Sequence, residues 1–314
     1  MSVKLEATRD AYGRALLYLG EHCPEVVVLD ADLSKSTKTA VFAAKHPERF
    51  FNIGISEADL VGTACGLALA GLKPFASTFA IFATGRAYDQ VRNSVAYPYL
   101  PVVIAATHAG LTVGPDGGSH QSLEDIALMR VLPHMQVWVP ADGEEAYQMI
   151  LAAAKAKGPV YVRLGRQPVP PVSPLGYSFV PGKAVVYGES GAVALIACGV
   201  MVAEALKTAH SLREQGVSCQ VINMSSIKPL DTAVLDKAAA ESRLLVTIEE
   251  HQKAGGLGSA CLEHLALHSR RPPLLAIGVE DVFGQSGEPQ ELLEHYGLTS
   301  ASITTKVLAQ LSAI

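Results

Sequence analysis

Short β-rich runs and helical patterns alternate along nearly the whole sequence, and that alternation restricts the architecture more than any other feature. Residues 5 to 20 fit an amphipathic helix. Val26-Val-Val-Leu-Asp30 has the unbroken apolar character of a strand covered on both faces. Further helical patterns lie near 56–70, 80–96, 121–130 and 143–157. Strand-like runs separate them at 74–77, 102–107, 136–139 and 159–163. Buried strands alternating with helices predict an α/β fold built on a mostly parallel sheet. The rhythm breaks over 167–190, where Gln167-Pro-Val-Pro-Pro-Val-Ser-Pro can continue neither a sheet nor a helix. A second series follows, with strands near 192–197, 217–222, 244–249 and 273–278. Its helices fall near 201–215, 231–241, 256–269 and 300–311. The expectation is two doubly wound domains, 1–166 and 191–314, joined by a linker over 167–190.

Composition narrows the class of partner. The chain has 314 residues, 49% of them hydrophobic, enough for two cores of ordinary size. Its formal net charge is −5 and no basic run stands out, which argues against a nucleic-acid or anionic-membrane partner. The N-terminal segment lacks the apolar core of a signal peptide, and no apolar stretch reaches membrane-spanning length. The five cysteines (Cys23, Cys65, Cys198, Cys219, Cys261) are scattered, odd in number and form no Cys-x-x-Cys pair. They read as reduced core thiols of a cytoplasmic protein.

Candidate functional residues concentrate between 50 and 138. Ser56 precedes a helical run with Asp59 three residues on, the pattern of an N-cap, so Glu57 is expected as the first helical residue. The plain reading of Glu57 is a carboxylate that complements the helix dipole. However, it follows the strand-like run Phe50 to Ile55, and ligand crevices in open α/β sheets form where strands hand over to helices. Phe79 and Phe82 have i, i+3 spacing and are expected on one helix face, extended by Arg86, Gln90 and Asn93. A stripe facing only the core would not carry an Arg, a Gln and an Asn. Aromatic faces beside an acid suit an electron-poor heteroaromatic ring. His108 follows Ala106-Thr, and His120 closes Gly114-Pro-Asp116-Gly-Gly-Ser. Ala254-Gly-Gly-Leu-Gly-Ser lacks the Lys of a phosphate loop and reads as a helix start that needs close packing.

As an ordered set, these segments resemble the C-terminal half of transketolase, and specifically the smaller subunit of a split transketolase. The segments are Leu29-Asp-Ala-Asp32-Leu, Gly54-Ile-Ser-Glu57, Ser77-Thr-Phe79-x-x-Phe82, Ala106-Thr-His108, Gly114-Pro-Asp116-Gly-Gly-Ser-His120-Gln, Val139-Pro-Ala-Asp142 and Arg163-Leu-Gly-Arg166. The resemblance covers nearly the whole chain. It implies a pyrimidine-binding domain followed by a transketolase C-terminal domain, and thiamine diphosphate as cofactor. By it, Glu57 matches the glutamate that activates the cofactor, and Phe79 and Phe82 match the aromatics that hold its pyrimidine, with Arg86 beside them. Asp32 matches a residue near the cofactor at a subunit interface. His108, Asp116 and His120 match positions that meet the sugar, and His108 and His120 join Glu57 as the catalytic set. Arg9, Ser36 and Arg166 match positions that hold the sugar's phosphate, a task suited to arginine's planar fork. Many full-length transketolases carry a third aromatic three residues past the Phe pair, but Gly85 stands there in this sequence.

The chain contains no Gly-Asp-Gly with a spaced Asn, the motif that holds the diphosphate and Mg²⁺ in these enzymes, and so no metal ligands are expected in it. The resemblance therefore implies an N-terminal partner subunit that supplies the diphosphate and Mg²⁺ site, and an α2β2 heterotetramer. The expected activity is transfer of a two-carbon ketol unit from a ketose phosphate to an aldose phosphate. A sulfo-sugar, a branched sugar or a biosynthetic acceptor would fit the same residues. The reading from another class is a non-catalytic scaffold subunit, which would need none of Glu57, Phe79, Phe82, His108 and His120. A dinucleotide oxidoreductase would need a Gly-x-Gly-x-x-Gly after the first strand, which is missing.

Overall fold

The computed structural model describes residues 4–269 and 271–314 and contains two main sheets. The larger has seven strands. Their order across the sheet is Ser226–Lys228, Gln136–Trp138, Val160–Arg163, Val103–Thr107, Lys73–Phe79, Val26–Asp30 and Phe50–Asn52. Every pairing is parallel except that of Ser226–Lys228 with Gln136–Trp138. Alternation along Val26–Asp30 accounts for the two covered faces. Val26 and Val28 join a core with Tyr12 and Leu16 of helix Thr8–His22 and Met149 and Ile150 of helix Gly143–Lys155. Val27 and Leu29 face the other way, into a core with Leu60, Val61 and Ala64 of helix Glu57–Leu69. A strand with period 2 that is buried on both faces must be apolar throughout, as this one is until Asp30.

The second sheet has five strands, in the order Leu274–Val279, Leu244–Gln252, Val193–Ala197, Cys219–Asn223 and Val185–Tyr187. Only the last pairing is antiparallel. Helices Met201–Glu214 and Ser300–Ser312 supply Met201, Val202, Ala205, Ile303 and Val307 to the core on one face. The α/β architecture agrees with the expectation from sequence.

Three local expectations need correction. Residues 80–96 do not form one α-helix. Phe79 ends its strand, Phe82–Arg86 and Val91–Ala96 are π-helical, and only Tyr88–Gln90 between them is α-helical. The i→i+5 turns break the 3.6-residue period that would have lined up Phe82, Arg86, Gln90 and Asn93. The segment 167–190 is not free of sheet. Pro168–Val169 pairs antiparallel with Glu6–Ala7, and Val185–Tyr187 edges the second sheet. Proline is tolerated there because such short edge pairings ask for few donors. Finally, Ser56 precedes helix Glu57–Leu69 as expected, but its side chain makes no capping hydrogen bond, and Asp59 accepts from Thr63 instead.

The Gly-rich segment behaves as a packed helix start. Leu257 N and Gly258 N donate to the Glu249 carboxylate at 2.7 and 2.9 Å, so a buried side chain fills the anion position of that helix. A Cβ on Gly256 would fall 2.0 Å from Glu249 Oε2. The five cysteines are free thiols, and all but Cys23 are buried.

Candidate active site

The carboxyl ends of the parallel strands gather most of the candidate residues. Asp32 lies just beyond Val26–Asp30, His108 follows Val103–Thr107, and Arg166 lies beyond Val160–Arg163. Phe79 is the last residue of its strand, and Glu57 opens the helix after Phe50–Asn52. Asp32 and His108 have φ of 63° and 58°, a backbone region that residues with side chains seldom occupy. Such strain collects where a tertiary setting holds a side chain against its local preference.

An aromatic column forms the centre. Phe79 and His108 stack with ring centroids 3.8 Å apart and 22° between planes. Phe82 lies nearly parallel to Phe79, at 5.7 Å and 14°. The Arg86 guanidinium covers the Phe82 ring at 3.9 Å, a cation–π contact. His120 meets both phenylalanines edge-on, at 6.2 and 5.5 Å. Thus Phe79 and Phe82 come together although they belong to different elements. A Cβ added to Gly85 would meet nothing within 4 Å among the described residues, so the place of a third aromatic is open there.

Glu57 is buried at 5% exposure, and its Oε1 accepts from Arg86 Nη1 at 3.2 Å. Among the described residues Oε2 takes no hydrogen bond. A buried carboxylate with an open acceptor beside an aromatic stack has the donor–acceptor chemistry to meet a nitrogen heterocycle.

Cations collect on the other side of His108. Arg9 Nη1 donates to the Ser36 carbonyl at 3.0 Å and to His108 Nε2 at 3.1 Å. Arg9 Nε is buried with no partner among the described residues, so the guanidinium is only partly satisfied, as expected of a group shaped for an anion. Arg166 Nη1 donates to the Val113 carbonyl at 2.9 Å and to Asp116 Oδ1 at 3.0 Å. Asp116 is therefore held by Arg166. Ser36 contributes its main-chain carbonyl. Asp32 is exposed, bonded to Asn52 (3.0 Å from Asn52 Nδ2 to Asp32 Oδ1), and makes no hydrogen bond to the other candidates among the described residues.

The electrostatics of His108 follow from this setting. Burial pushes its pKa down, and the charges of Arg9, Arg166, His120 and Lys38 push the same way, to about 3. Burial likewise lowers the pKa of Arg9, with Arg166 adding to the effect and Asp10 and Asp116 opposing it.

Several residues that organise the site carry no role in the sequence motifs, although Thr107 and Arg163 lie within them. Thr107 Oγ1 lies 2.9 Å from His108 Nδ1 and fixes the ring. Asn52 Oδ1 accepts from both Asp32 N and Gly54 N, at 3.1 Å each, and so ties two loops together. Behind the site, Arg163 is buried between Asp125 at 2.8 Å and Glu250 at 3.7 Å. Glu250 also accepts from Thr112 N and Thr112 Oγ1. Burial raises the Glu250 pKa, while Arg163 and the Thr112 bonds oppose it. The available signal is Glu249-Glu250, two adjacent acids directly after the run Leu244 to Ile248 in a strand buried along nearly its whole length.

Family models decide the kinship. The transketolase pyrimidine binding domain matches residues 5–171, and the transketolase C-terminal domain matches residues 182–303.

The chain belongs to the transketolase family.

Within that family it corresponds to the C-terminal section, the part a split transketolase carries on its own chain, as the sequence motifs implied. It is 45% identical over 307 residues to a putative transketolase C-terminal section of Methanocaldococcus jannaschii, covering 96% of each chain. It is 39% identical to the 6-deoxy-6-sulfo-D-fructose transketolase subunit SqwH of Clostridium sp., covering 96% of this chain and 94% of that one. A solved structure described as a split gene transketolase, inactive β4 tetramer, superposes with a TM-score of 0.89 at 49% identity, covering 98% of both chains. Transketolase of Campylobacter jejuni shares the fold, with a TM-score of 0.83 at 24% identity, and this chain spans 47% of it.

Proposed function

We propose that this chain is the pyrimidine-binding subunit of a thiamine-diphosphate-dependent transketolase that moves a two-carbon ketol unit from a ketose phosphate to an aldose phosphate. One observation carries the reading: the buried Glu57 carboxylate, whose Oε2 takes no hydrogen bond among the described residues, is joined through Arg86 to the Phe82 end of the Phe79–Phe82–His108 stack at the strand ends. Thiamine diphosphate, when bound, would supply the nucleophilic carbon and the electron sink that ketol transfer requires. Glu57 would bond a pyrimidine ring nitrogen and hold the tautomer whose amino group can take a proton. Phe79 and Phe82 would offer apolar faces to that ring, and Arg86 would hold the Glu57 carboxylate in place.

Arg9 and Arg166 would bind the anionic end of the sugar, with Ser36 lending its carbonyl to position Arg9. His108 meets Arg9 through a lone pair, which suits it to hold a sugar hydroxyl rather than to deliver a proton. Proton transfer in this chain then falls to His120, a narrower assignment than the sequence motifs imply. Asp116 would be released to the sugar when an anion takes over Arg166. Asp32 would act at the subunit interface.

The diphosphate and Mg²⁺ would be held by an N-terminal partner subunit, in an α2β2 assembly. The 49%-identical relative described as an inactive β4 tetramer supports self-association without activity. Among the described residues no helix is long and apolar enough to cross a membrane. A cytoplasmic location, suggested by the free thiols, belongs to the same proposal.

A second reading keeps the site and changes the sugar. Relatives at 39% and 35% identity are named for 6-deoxy-6-sulfo-D-fructose and for apulose-4-phosphate. A sulfonate would satisfy the Arg9 and Arg166 donors with one negative charge fewer than a phosphate.

The deciding experiment is Glu57→Ala in the complex with the N-terminal subunit. Activity should fall by ~10²–10⁴-fold, the span for acid–base groups. A complex that kept its activity would make this chain a scaffold. Donor screening with phosphorylated, sulfonated and branched sugars separates the two substrate readings.

A further inference from the structure

We propose that Asp236, His264 and His268 form a binding site for a borderline divalent cation such as Zn²⁺, separate from the candidate active site. The three side chains come from two elements. Asp236 lies on helix Thr232–Glu241, His264 on the last turn of helix Leu257–Leu265, and His268 four residues further along. Spacing of i, i+4 across a helix end places the two imidazoles side by side, and their ring centroids are 5.4 Å apart. Both Nε2 atoms converge on one oxygen, Asp236 Oδ1, at 2.5 Å from His264 and 3.1 Å from His268. One ligand atom from each residue lies within 4.8 Å of the others, and among the described residues no other grouping of three or more His, Cys, Asp or Glu side chains meets that condition.

The donor set selects the ion. Two imidazoles and a carboxylate suit Zn²⁺ and its neighbours, whereas Mg²⁺ requires oxygen ligands. Tetrahedral bonds of 2.0–2.1 Å place ligand atoms about 3.3 Å apart. The observed separations from Asp236 Oδ1 reach that value with movements below about 1 Å, in side chains that are 22%, 32% and 44% exposed. Without metal, His264 Nε2 is hydrogen-bonded to the carboxylate, and His268 Nε2 lies 3.1 Å from the same oxygen. On binding, each ring carries its proton on Nδ1 and turns the Nε2 lone pair to the ion, and water fills the open side. None of the three residues bonds to Glu57, His108, His120, Arg9 or Arg166. The ion would clip the end of helix Leu257–Leu265 to helix Thr232–Glu241 and act on stability rather than on the reaction.

The test uses the full chain stripped with a chelator, with Co²⁺ as the optical probe and Zn²⁺ in competition. The expected result is a visible absorption band that saturates at one Co²⁺ per chain and is displaced by Zn²⁺. His268→Gln and Asp236→Asn, on separate elements, should each weaken that binding more than about tenfold, the least that losing even an outer partner of a ligand costs. Zn²⁺ should also raise the melting temperature of the native chain and not that of either variant. Absence of the band would overturn the proposal. So would variants that fold and bind within tenfold of the native chain, which would place the ion on other histidines.

Discussion

Arg9 and His108 meet through a lone pair: Arg9 Nη1 lies 3.1 Å from His108 Nε2, and a guanidinium can only donate. The His108 proton therefore resides on Nδ1, where it is donated to Thr107 Oγ1 at 2.9 Å. The folded chain holds a buried neutral imidazole beside two arginines, and burial first, with those charges adding to it, brings its pKa down to about 3.

Stability should carry the signature of that neutral ring. The folded pKa lies below the unfolded value near 6.5, so the unfolded chain takes up the proton first. The contribution is complete above about pH 6.5 and is lost as pH falls toward 3. At pH 5 the loss from this group should be roughly 2 kcal/mol. Urea melts of the native chain and of His108→Gln at pH 7.5 and 5 check this. The difference between the two should shrink at pH 5, because glutamine has no proton to gain.

Gly110 should tolerate no side chain. Its φ is 81° and ψ −176°, a region essentially reserved for glycine. A Cβ there would lie 2.2 Å from the Glu250 carboxyl carbon. Gly110→Ala should cost roughly 1–3 kcal/mol from the backbone alone, and more from displacing Glu250 off Thr112 and Arg163. Denaturation midpoints measure the loss.

The proposed anion site gives a kinetic expectation. Hydrogen bonds to charged groups are worth about 1.5–3 kcal/mol, so Arg9→Met in the complex should raise KM for a phosphorylated donor roughly 10- to 100-fold. The same sugar without its phosphate should barely notice the change. Equal losses on both donors would mean that Arg9 holds the protein and not the substrate.

Trp138 offers a packing test. It is 1% exposed and meets Phe179 edge-on, with ring centroids 4.9 Å apart. Trp138→Ala should destabilise the chain by about 3–5 kcal/mol. Among the described residues Trp138 Nε1 has no hydrogen-bond partner, so Trp138→Phe surrenders volume but no such bond and should lose far less. Urea denaturation of the two variants separates packing from hydrogen bonding.

Much of this was legible from residue order, and the exceptions have physical reasons. Val26–Asp30, apolar up to its last residue, and Val193–Ala197 announce themselves because strands covered on both faces run apolar nearly throughout. Ser226–Lys228 and Val185–Tyr187 are three residues long and pair at sheet edges, too short for any period to show. Helix Pro289–His295 carries a local signal, Pro at its start within a Glu288–Glu291 capping box, in a stretch with too few residues for a helical period to show. At the candidate site, residue types such as Glu57 and the two phenylalanines stood out. The change from strand at Phe79 to a π-helix opening at Phe82, and the burial that lowers the His108 pKa, depend on tertiary packing that local spacing does not encode.

The strand Ser226–Lys228 has one more implication. It leaves its own half of the chain to close the border of the larger sheet against Gln136–Trp138, and Lys228 Nζ reaches back to the carbonyls of Arg130 and Leu132. A fragment severed at the proline-rich segment would lose that cover. Its raw border, flanked by Trp138, would recruit any passing copy, so truncation should yield aggregates instead of a smaller soluble module.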